Sequence, residues 1–310
     1  MDLCAGDSRH VKVSSLSDLD IRVSKARLTK PRKINPHLFQ LCNTIVWCGM
    51  RGMGKTTSMI SLYKDYLNRQ GGQFEPGFDR EHVYMINPSY WNDPKVQQMN
   101  VEEHNVYTNP TDESVVEIVG KIKDEIEEYK EFEKYEKAWS RFLKAKNMAD
   151  MDPLDLLLLY ENGFQPPDPE KYPFGMPSSL MFLDDVAATD LLKQGKSPLN
   201  NFFIKHRHEN CSVWIATQYI KALPRIIRNN VCVFCLFATK DGKLLKEIYQ
   251  EISGIVKEAD FYKFYEFATK EPNDFLTIDV VGKKNRFRRN FKDVLSIDGG
   301  RVAQSEDETT

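Results

Sequence analysis

The chain has 310 residues, with 43 Lys and Arg against 45 Asp and Glu, a formal net charge of −2, and 41% apolar and 11% aromatic residues. That is enough apolar chain for one large α/β core with attachments. The balanced charge excludes a protein that coats nucleic acid by general basicity, while leaving binding through local basic patches open.

The first ten residues, Met1 to His10, lack a basic segment followed by an apolar one, so no signal peptide is expected. The longest pure aliphatic run, Leu156 to Leu159, is far too short to span a bilayer. Residues 1–36 read as a polar arm. Within it Arg22, Lys25, Arg27, Lys30, Arg32 and Lys33 form an acid-free basic stretch, either a solvated arm or one that binds phosphate or a partner. Order is expected from about Pro36.

Thr44 to Cys48 is a short apolar run ending at a glycine, which suits a buried strand. A glycine-punctuated loop follows, then a helical pattern from Lys55 to about Arg69, stopped by Gly71 and Gly72. His82 to Ile86 reads as a second strand ended by Asn87-Pro88, and Val106-Tyr107 as a very short third. Ser114 to about Lys146 is a charged helix whose Val116, Ile118, Val119, Ile122, Ile126 and Tyr129 suggest one apolar face. Met151 to Pro177 is proline-rich and expected to be irregular. The segment at about 129–177 reads as an insertion or lid on a core domain spanning 37–295.

Leu180 to Leu183, closed by Asp184-Asp185, reads as a buried strand, as do Ser212 to Thr217 with Gln218 at its end, Val231 to Phe237, and Phe275 to Val281. A helix is expected from about Lys243 to Ile255. Cys232 and Cys235 have a zinc-like gap, but positions three apart on a strand face opposite ways and no second Cys/His pair follows, so buried thiols are expected. Residues 296–310 read as a flexible acidic tail. Strands alternating with helices imply an α/β fold: a mostly parallel central sheet with helices on both faces.

Gly49-Met50-Arg51-Gly52-Met53-Gly54-Lys55-Thr56 fits the phosphate-loop pattern G-x-x-x-x-G-K-[ST] between an expected strand and an expected helix. Glycines let successive N–H groups point at phosphate oxygens, and the helix adds its positive end. Lys55 is expected to reach the β- and γ-phosphates of ATP, Thr56 to bind Mg²⁺, and Gly49, Arg51, Gly52, Met53, Gly54 and Thr57 to complete the cradle. Leu180 to Asp185 resembles a Walker B strand. There Asp184 is expected to hold Mg²⁺ and Asp185 to orient or deprotonate attacking water, which points to the additional-strand ATPase type. The plain alternative for the Asp pair is capping of a following helix. Gln218 is expected to touch both the γ-phosphate and the water.

With these residues in hand, the chain resembles the FtsK–HerA superfamily of DNA-pumping ATPases, and within it the genome-packaging ATPases of large nucleocytoplasmic DNA viruses, of the poxvirus type. Cys48 to Thr57, Leu180 to Asp185, Lys205 to His208, and Ser212 to Asn230 carry the likeness. Asp185 departs from the commoner Glu, and the charged insertion is long. The resemblance implies an ATP-hydrolysing translocase that packages a viral genome, virus-encoded and working in host cytoplasm or at the virion assembly site. It also implies a homo-oligomeric ring, pentamer or hexamer, around double-stranded DNA held without sequence preference, with a viral capsid or portal vertex as partner. A neighbour's arginine would complete each site, Arg207 first, with Arg225 and Arg228 as alternatives. Lys193, Lys196, Lys283, Lys284, Arg286, Arg288 and Arg289 are candidates for DNA contact, the last five reading equally as an exposed terminal hairpin or a docking site for an acidic partner. The motif also leaves open a P-loop kinase of a nucleoside or small molecule, and a nucleotide-dependent assembly switch.

Overall fold

The computed structural model describes residues 32–186 and 189–297. The chain divides at Pro31/Arg32 into two units, and only the second, Arg32–Thr310, contains described residues. The basic arm up to Lys30 and the acidic tail beyond residue 297 lie outside the described residues.

Among the described residues, nine strands form one sheet. They are β1 (Thr44–Cys48), β2 (Val83–Ile86), β3 (Val106–Tyr107), β4 (Ser179–Leu183), β5 (Cys211–Thr217), β6 (Val233–Phe237), β7 (Phe275–Asp279), β8 (Phe287–Arg289) and β9 (Asp293–Val294). Their order is β3-β2-β4-β5-β1-β6-β7-β8-β9. The first six in that order pair in parallel, and β7, β8 and β9 continue the sheet antiparallel. One strand, β5, therefore stands between β1 and β4, in register Thr44 to Val213 on one side and Ser179 to Cys211 on the other.

Alternation within these apolar strands decides the two faces. Ile45, Trp47, Phe182, Trp214 and Cys235 face a layer built around α1 (Lys55–Leu67), where Tyr63 and Tyr66 pack with Phe78. Trp47 and Trp214 lie 5.4 Å apart by ring centroid, and Trp214 Nε1 donates to Asn43 Oδ1 at 2.8 Å, satisfying a fully buried polar group. Val46, Ile86, Leu183, Ile215, Phe234 and Leu236 face the other layer. It is made by α2 (Asp112–Phe142), α4 (Pro198–Lys205), α5 (Arg225–Arg228), α6 (Gly242–Ile252) and α7 (Glu258–Ala268). Cys232 precedes β6 and so escapes its alternation; both Cys232 and Cys235 pack in the α1 layer.

The first half of α2 lays Val115, Ile118, Ile122 and Ile126 on the sheet at helical spacing. Its second half pairs with α3 (Pro153–Glu161) through a small cluster of Tyr135, Met151 and Leu159, fastened by Arg141 on Asp155 at 2.5 and 2.6 Å. The expected irregular stretch after Met151 thus contains a helix. Asp152 caps it by accepting from the Leu154 N–H, and Pro153 sits in its first turn, where a proline costs no hydrogen bond. The same device starts the unexpected α4, with Ser197 as cap and Pro198 next. α7 was also unread; it packs Phe264 on Phe287 with rings stacked at 4.6 Å. Arg32, read as part of an arm, instead has its side chain buried. It pairs with Asp79 and donates to the carbonyls of Pro76 and Met176, both at 3.1 Å.

Candidate functional site

The glycine loop leaves β1 at the carboxyl edge of the parallel strands, where α/β sheets commonly bind ligands. The Gly49 N–H donates to Thr217 O at 3.2 Å, tying the loop to the end of β5. A Cβ on Gly49 would stand 2.7 Å from Phe237 Cβ, so no side chain fits there. Gly52 and Gly54 have φ of 83° and 92°, the left-handed region that glycine tolerates freely. No side chain caps α1, so its leading N–H groups face the cleft without a side-chain partner. Lys55 Nζ folds back to donate to Gly49 O at 2.7 Å and Met50 O at 3.0 Å. Burial lowers the Lys55 pKa, with the nearby Asp184 and Asp185 charges opposing. Arg51 and Thr57 are exposed on the cleft, while Met53 is half-buried against the α1 layer.

Across the loop, the Thr56 hydroxyl donates to Asp184 Oδ2 at 3.1 Å. This contact joins residues 128 positions apart. Asn87, at the end of β2, also reaches Asp184 Oδ2 at 3.4 Å, while its Oδ1 accepts from the Ser89 N–H at 2.7 Å. Asp184 is buried, and among the described residues no basic group lies within ion-pair distance of it. A buried carboxylate beside a hydroxyl, without a cationic side chain on it, fits a hard divalent cation. Among the described residues no cluster of three or more His, Cys, Asp or Glu converges. Magnesium takes one or two protein oxygens and otherwise keeps water or phosphate oxygens.

Asp185 follows at φ 57°, an uncommon backbone for a non-glycine residue, and is exposed to the cleft. Among the described residues neither carboxylate of the pair caps a helix: the next helical elements, the single 3-10 turn Asp190–Leu192 and α4, have Thr189 and Ser197 at their N-caps. Gln218 is exposed at the end of β5, on the same cleft of about 1480 Å³ as Lys55, Thr56, Asp184 and Asp185. Asn87 carries no motif; only the adjacency of β2 to β4 brings it to Asp184.

Burial pushes the Asp184 carboxyl up to about 6, the Asp185 charge adding, while Thr56 and Lys55 pull it down. Its folded pKa thus exceeds the unfolded one near 4, so the folded nucleotide-free protein binds the extra proton between them. The cost of holding the charge is full above pH 6 and fades as pH falls toward 4. Asp184→Asn is therefore expected to raise the stability of the nucleotide-free protein at pH 7.5, by at most about 3 kcal/mol. Thermal melts at pH 7.5 and pH 5 check this: the gain should shrink at the lower pH, and a gain independent of pH would contradict it.

The arginines stand elsewhere. Arg207 is exposed just before β5, and its guanidinium donates to Cys232 Sγ at 3.2 Å, at the amino edge of the parallel strands. The length of β5, roughly 23 Å at about 3.3 Å per residue, separates it from its own chain's glycine loop. Arg225 is exposed, while Arg228 pairs with Glu251 at 2.8 Å and donates to Leu223 O at 2.6 Å. The basic C-terminal group divides too. Arg288 donates to His37 O at 3.0 Å and lies over the Phe39 ring, and Arg289 pairs with Asp293 at 2.7 Å. Lys196, Lys283 and Lys284 are exposed, Arg286 is half-buried, and Lys193 pairs with Asp190 at 2.9 Å.

No protein-family model matches the chain, and no curated protein does. Among solved structures, the chain is similar to the genome packaging NTPase B204 from Sulfolobus turreted icosahedral virus 2 in complex with AMP. That likeness has 13% identity over 77% of this chain and 92% of the other, at a TM-score of 0.41. It is also similar to the cytoplasmic domain of the Thermomonospora curvata type VII secretion ATPase EccC, at 14% identity over 84% of this chain and 26% of that one, with a TM-score of 0.43. A third likeness is to the N-terminal domain of zonular occludens toxin from Neisseria meningitidis, at 12% identity over 64% and 78% of the two chains and a TM-score of 0.30.

Proposed function

We propose that this chain is a magnesium-dependent ATPase that drives double-stranded DNA in the packaging of a viral genome. The observation that carries the hydrolytic part is the Thr56–Asp184 contact at 3.1 Å, with Asp185 and Gln218 on the same cleft. Lys55 and the loop amides hold the phosphate chain. Thr56 and Asp184 hold Mg²⁺, which when bound neutralises charge on the phosphates. Asp185 takes the proton of, or orients, the attacking water, and Gln218 positions it against the γ-phosphate. Asn87 keeps the Asp184 carboxylate in place.

The motor part rests on the sequence likeness to the FtsK–HerA ATPases and on the exposed cations. Arg207 lies too far from its own site to serve it, and an arginine in that position serves a neighbour's site in a ring of five or six copies. Repeated by ring symmetry, Lys193, Lys196, Lys283, Lys284 and Arg286 supply phosphate contacts without base contacts, so grip is independent of sequence. A capsid or portal vertex is the natural mooring for such a ring. Among the described residues no helix is long and apolar enough to cross a membrane.

Phosphate release measured with and without linear double-stranded DNA tests the reading. DNA is expected to stimulate release severalfold, the same for unrelated sequences. Stimulation should fall steeply between 50 and 200 mM salt, by about 10³ or more in affinity if six phosphates are contacted. Transfer of phosphate to a small acceptor would identify a kinase instead. Tight nucleotide binding with negligible turnover would identify an assembly switch.

A further inference from the structure

The contacts of α2 fix where the insertion points. Along the helix, Glu117 accepts from Tyr107 Oη at 2.7 Å, Lys121 donates to His104 O at 3.0 Å, and Glu125 lies 2.7 Å from His82 Nδ1. Tyr107 ends β3, His104 precedes it, and His82 precedes β2, which runs parallel to β3. The helix therefore runs from the carboxyl edge of these strands to their amino edge. Its remaining residues, Ile126 to Phe142, carry it past that edge by up to about 25 Å at 1.5 Å per residue. α3 folds back along this overhang: Arg141 holds Asp155 at 2.5 and 2.6 Å, and Tyr135 and Leu159 share one cluster. The returning chain packs Tyr172 on Tyr129 and Phe132, with ring centroids 5.2 and 5.0 Å apart, on its way to β4.

The outer surface of the overhang is apolar. Of the thirteen large apolar side chains exposed among the described residues, five lie between Leu143 and Tyr160. On α3, Leu154, Leu157 and Tyr160 are 70%, 53% and 76% exposed, at the three-residue spacing that makes a ridge. Asp155 and Leu159 on the other side are buried, and the Arg141 pair holds them there, so the ridge stays outward. An exposed apolar ridge marks a contact site. The opposite edge of the subunit carries a counterpart. Met50, Trp91 and Tyr219 are each about half exposed and follow the carboxyl ends of β1, β2 and β5. Each adjoins a residue that lines the cleft: Arg51, Asn92 and Gln218. Patches at opposite edges face opposite ways. A contact between them is head to tail and repeats from copy to copy, as in a ring, rather than closing on itself in a pair. Arg207 stands at the same amino edge as the overhang. Under the ring reading above, on which this inference rests, both reach the same neighbour.

We infer that the α2–α3 hairpin is a docking arm, whose ridge of Leu154, Leu157 and Tyr160 seats on the cleft rim of the next copy in the ring, beside Trp91 and Tyr219, and so brings Arg207 to that copy's cleft.

Sedimentation of the full chain over a range of concentrations, with magnesium and a non-hydrolysable ATP analogue, tests the arm beside photo-cross-linking. Leu154→Asp together with Leu157→Asp puts two charges on the ridge. Both side chains are exposed, so the melting temperature should stay near that of the parent. The concentration at half-assembly should rise by about tenfold or more. A benzophenone side chain at position 160 should capture another copy near Met50, Trp91 or Tyr219, and this cross-link decides by itself should the double variant melt early. Assembly of the double variant at the parent's concentration would overturn the arm and leave the ring standing. So would a cross-link confined to residues 143–160 of another copy, or none between copies of an assembled parent. A parent that stays monomeric with both nucleotide and DNA present would overturn the ring reading and the arm with it.

Discussion

Arg207→Ala is expected to lower ATP turnover by about 10³–10⁵ while leaving nucleotide affinity and the melting temperature close to those of the parent. The size follows from what a guanidinium does at a transferring phosphoryl group: it offsets charge that develops only in the transition state, so its loss falls on kcat rather than on binding. Little stability should be lost because the side chain is exposed and its one polar contact among the described residues is a weak one to Cys232 Sγ. The position at the amino edge of β5, away from its own cleft, makes a sharper expectation possible. Arg207→Ala subunits keep a complete Asp184–Asp185 site, and Asp185→Asn subunits keep the arginine. Mixing the two inactive variants should therefore restore activity where one supplies the cleft and its neighbour the guanidinium. Activity in the mixture no higher than in either variant alone would exclude an arginine working across subunits at this position.

Asp185→Asn is the second large effect. It should lower turnover by about 10²–10⁴, the usual worth of a positioned general base, with Mg-ATP binding preserved. Asparagine keeps the size of the side chain and tolerates the left-handed backbone that the residue adopts at φ 57°. The loss is thus one of chemistry, not of folding. Asp185→Glu supplies the control. Its extra methylene moves the carboxylate outward, so it should recover part of the lost turnover, most of it if the water tolerates the longer reach. The measurement is single-turnover phosphate release beside equilibrium nucleotide binding. If Asp185→Asn turned over like the parent, another group would have to take the proton, and the exposed Gln218 cannot, since an amide does not titrate in this range.

Under the proposed function, the two carboxylates divide their work by environment. Asp184 is buried, touches Thr56 and Asn87, and has its pKa raised, which suits a group that waits for a cation. Asp185 is exposed to the cleft, where water arrives. Adjacent residues at a strand end turn to different surroundings, and the left-handed backbone at Asp185 sharpens that turn.

What the residues alone made legible was local. The glycine loop can be read from eight consecutive positions because its demands, positive φ at Gly52 and Gly54 and no room for a side chain at Gly49, are met residue by residue. The buried parallel strands are legible for a similar reason, since a strand covered on both faces must be apolar throughout. Two helices outside the expected elements begin with a cap followed by proline, at Asp152-Pro153 and Ser197-Pro198, where the proline sits in the first turn and marks a start. What only the tertiary structure decided is adjacency. Strand order brings Asn87 to Asp184, sets Asn273 against Gly54, turns Arg288 inward to His37 and Phe39, and leaves Arg207 at the far edge. None of these has a sequence period, because each depends on which strand lies beside which, and that order is fixed by burying both faces of the sheet at once rather than by any single segment.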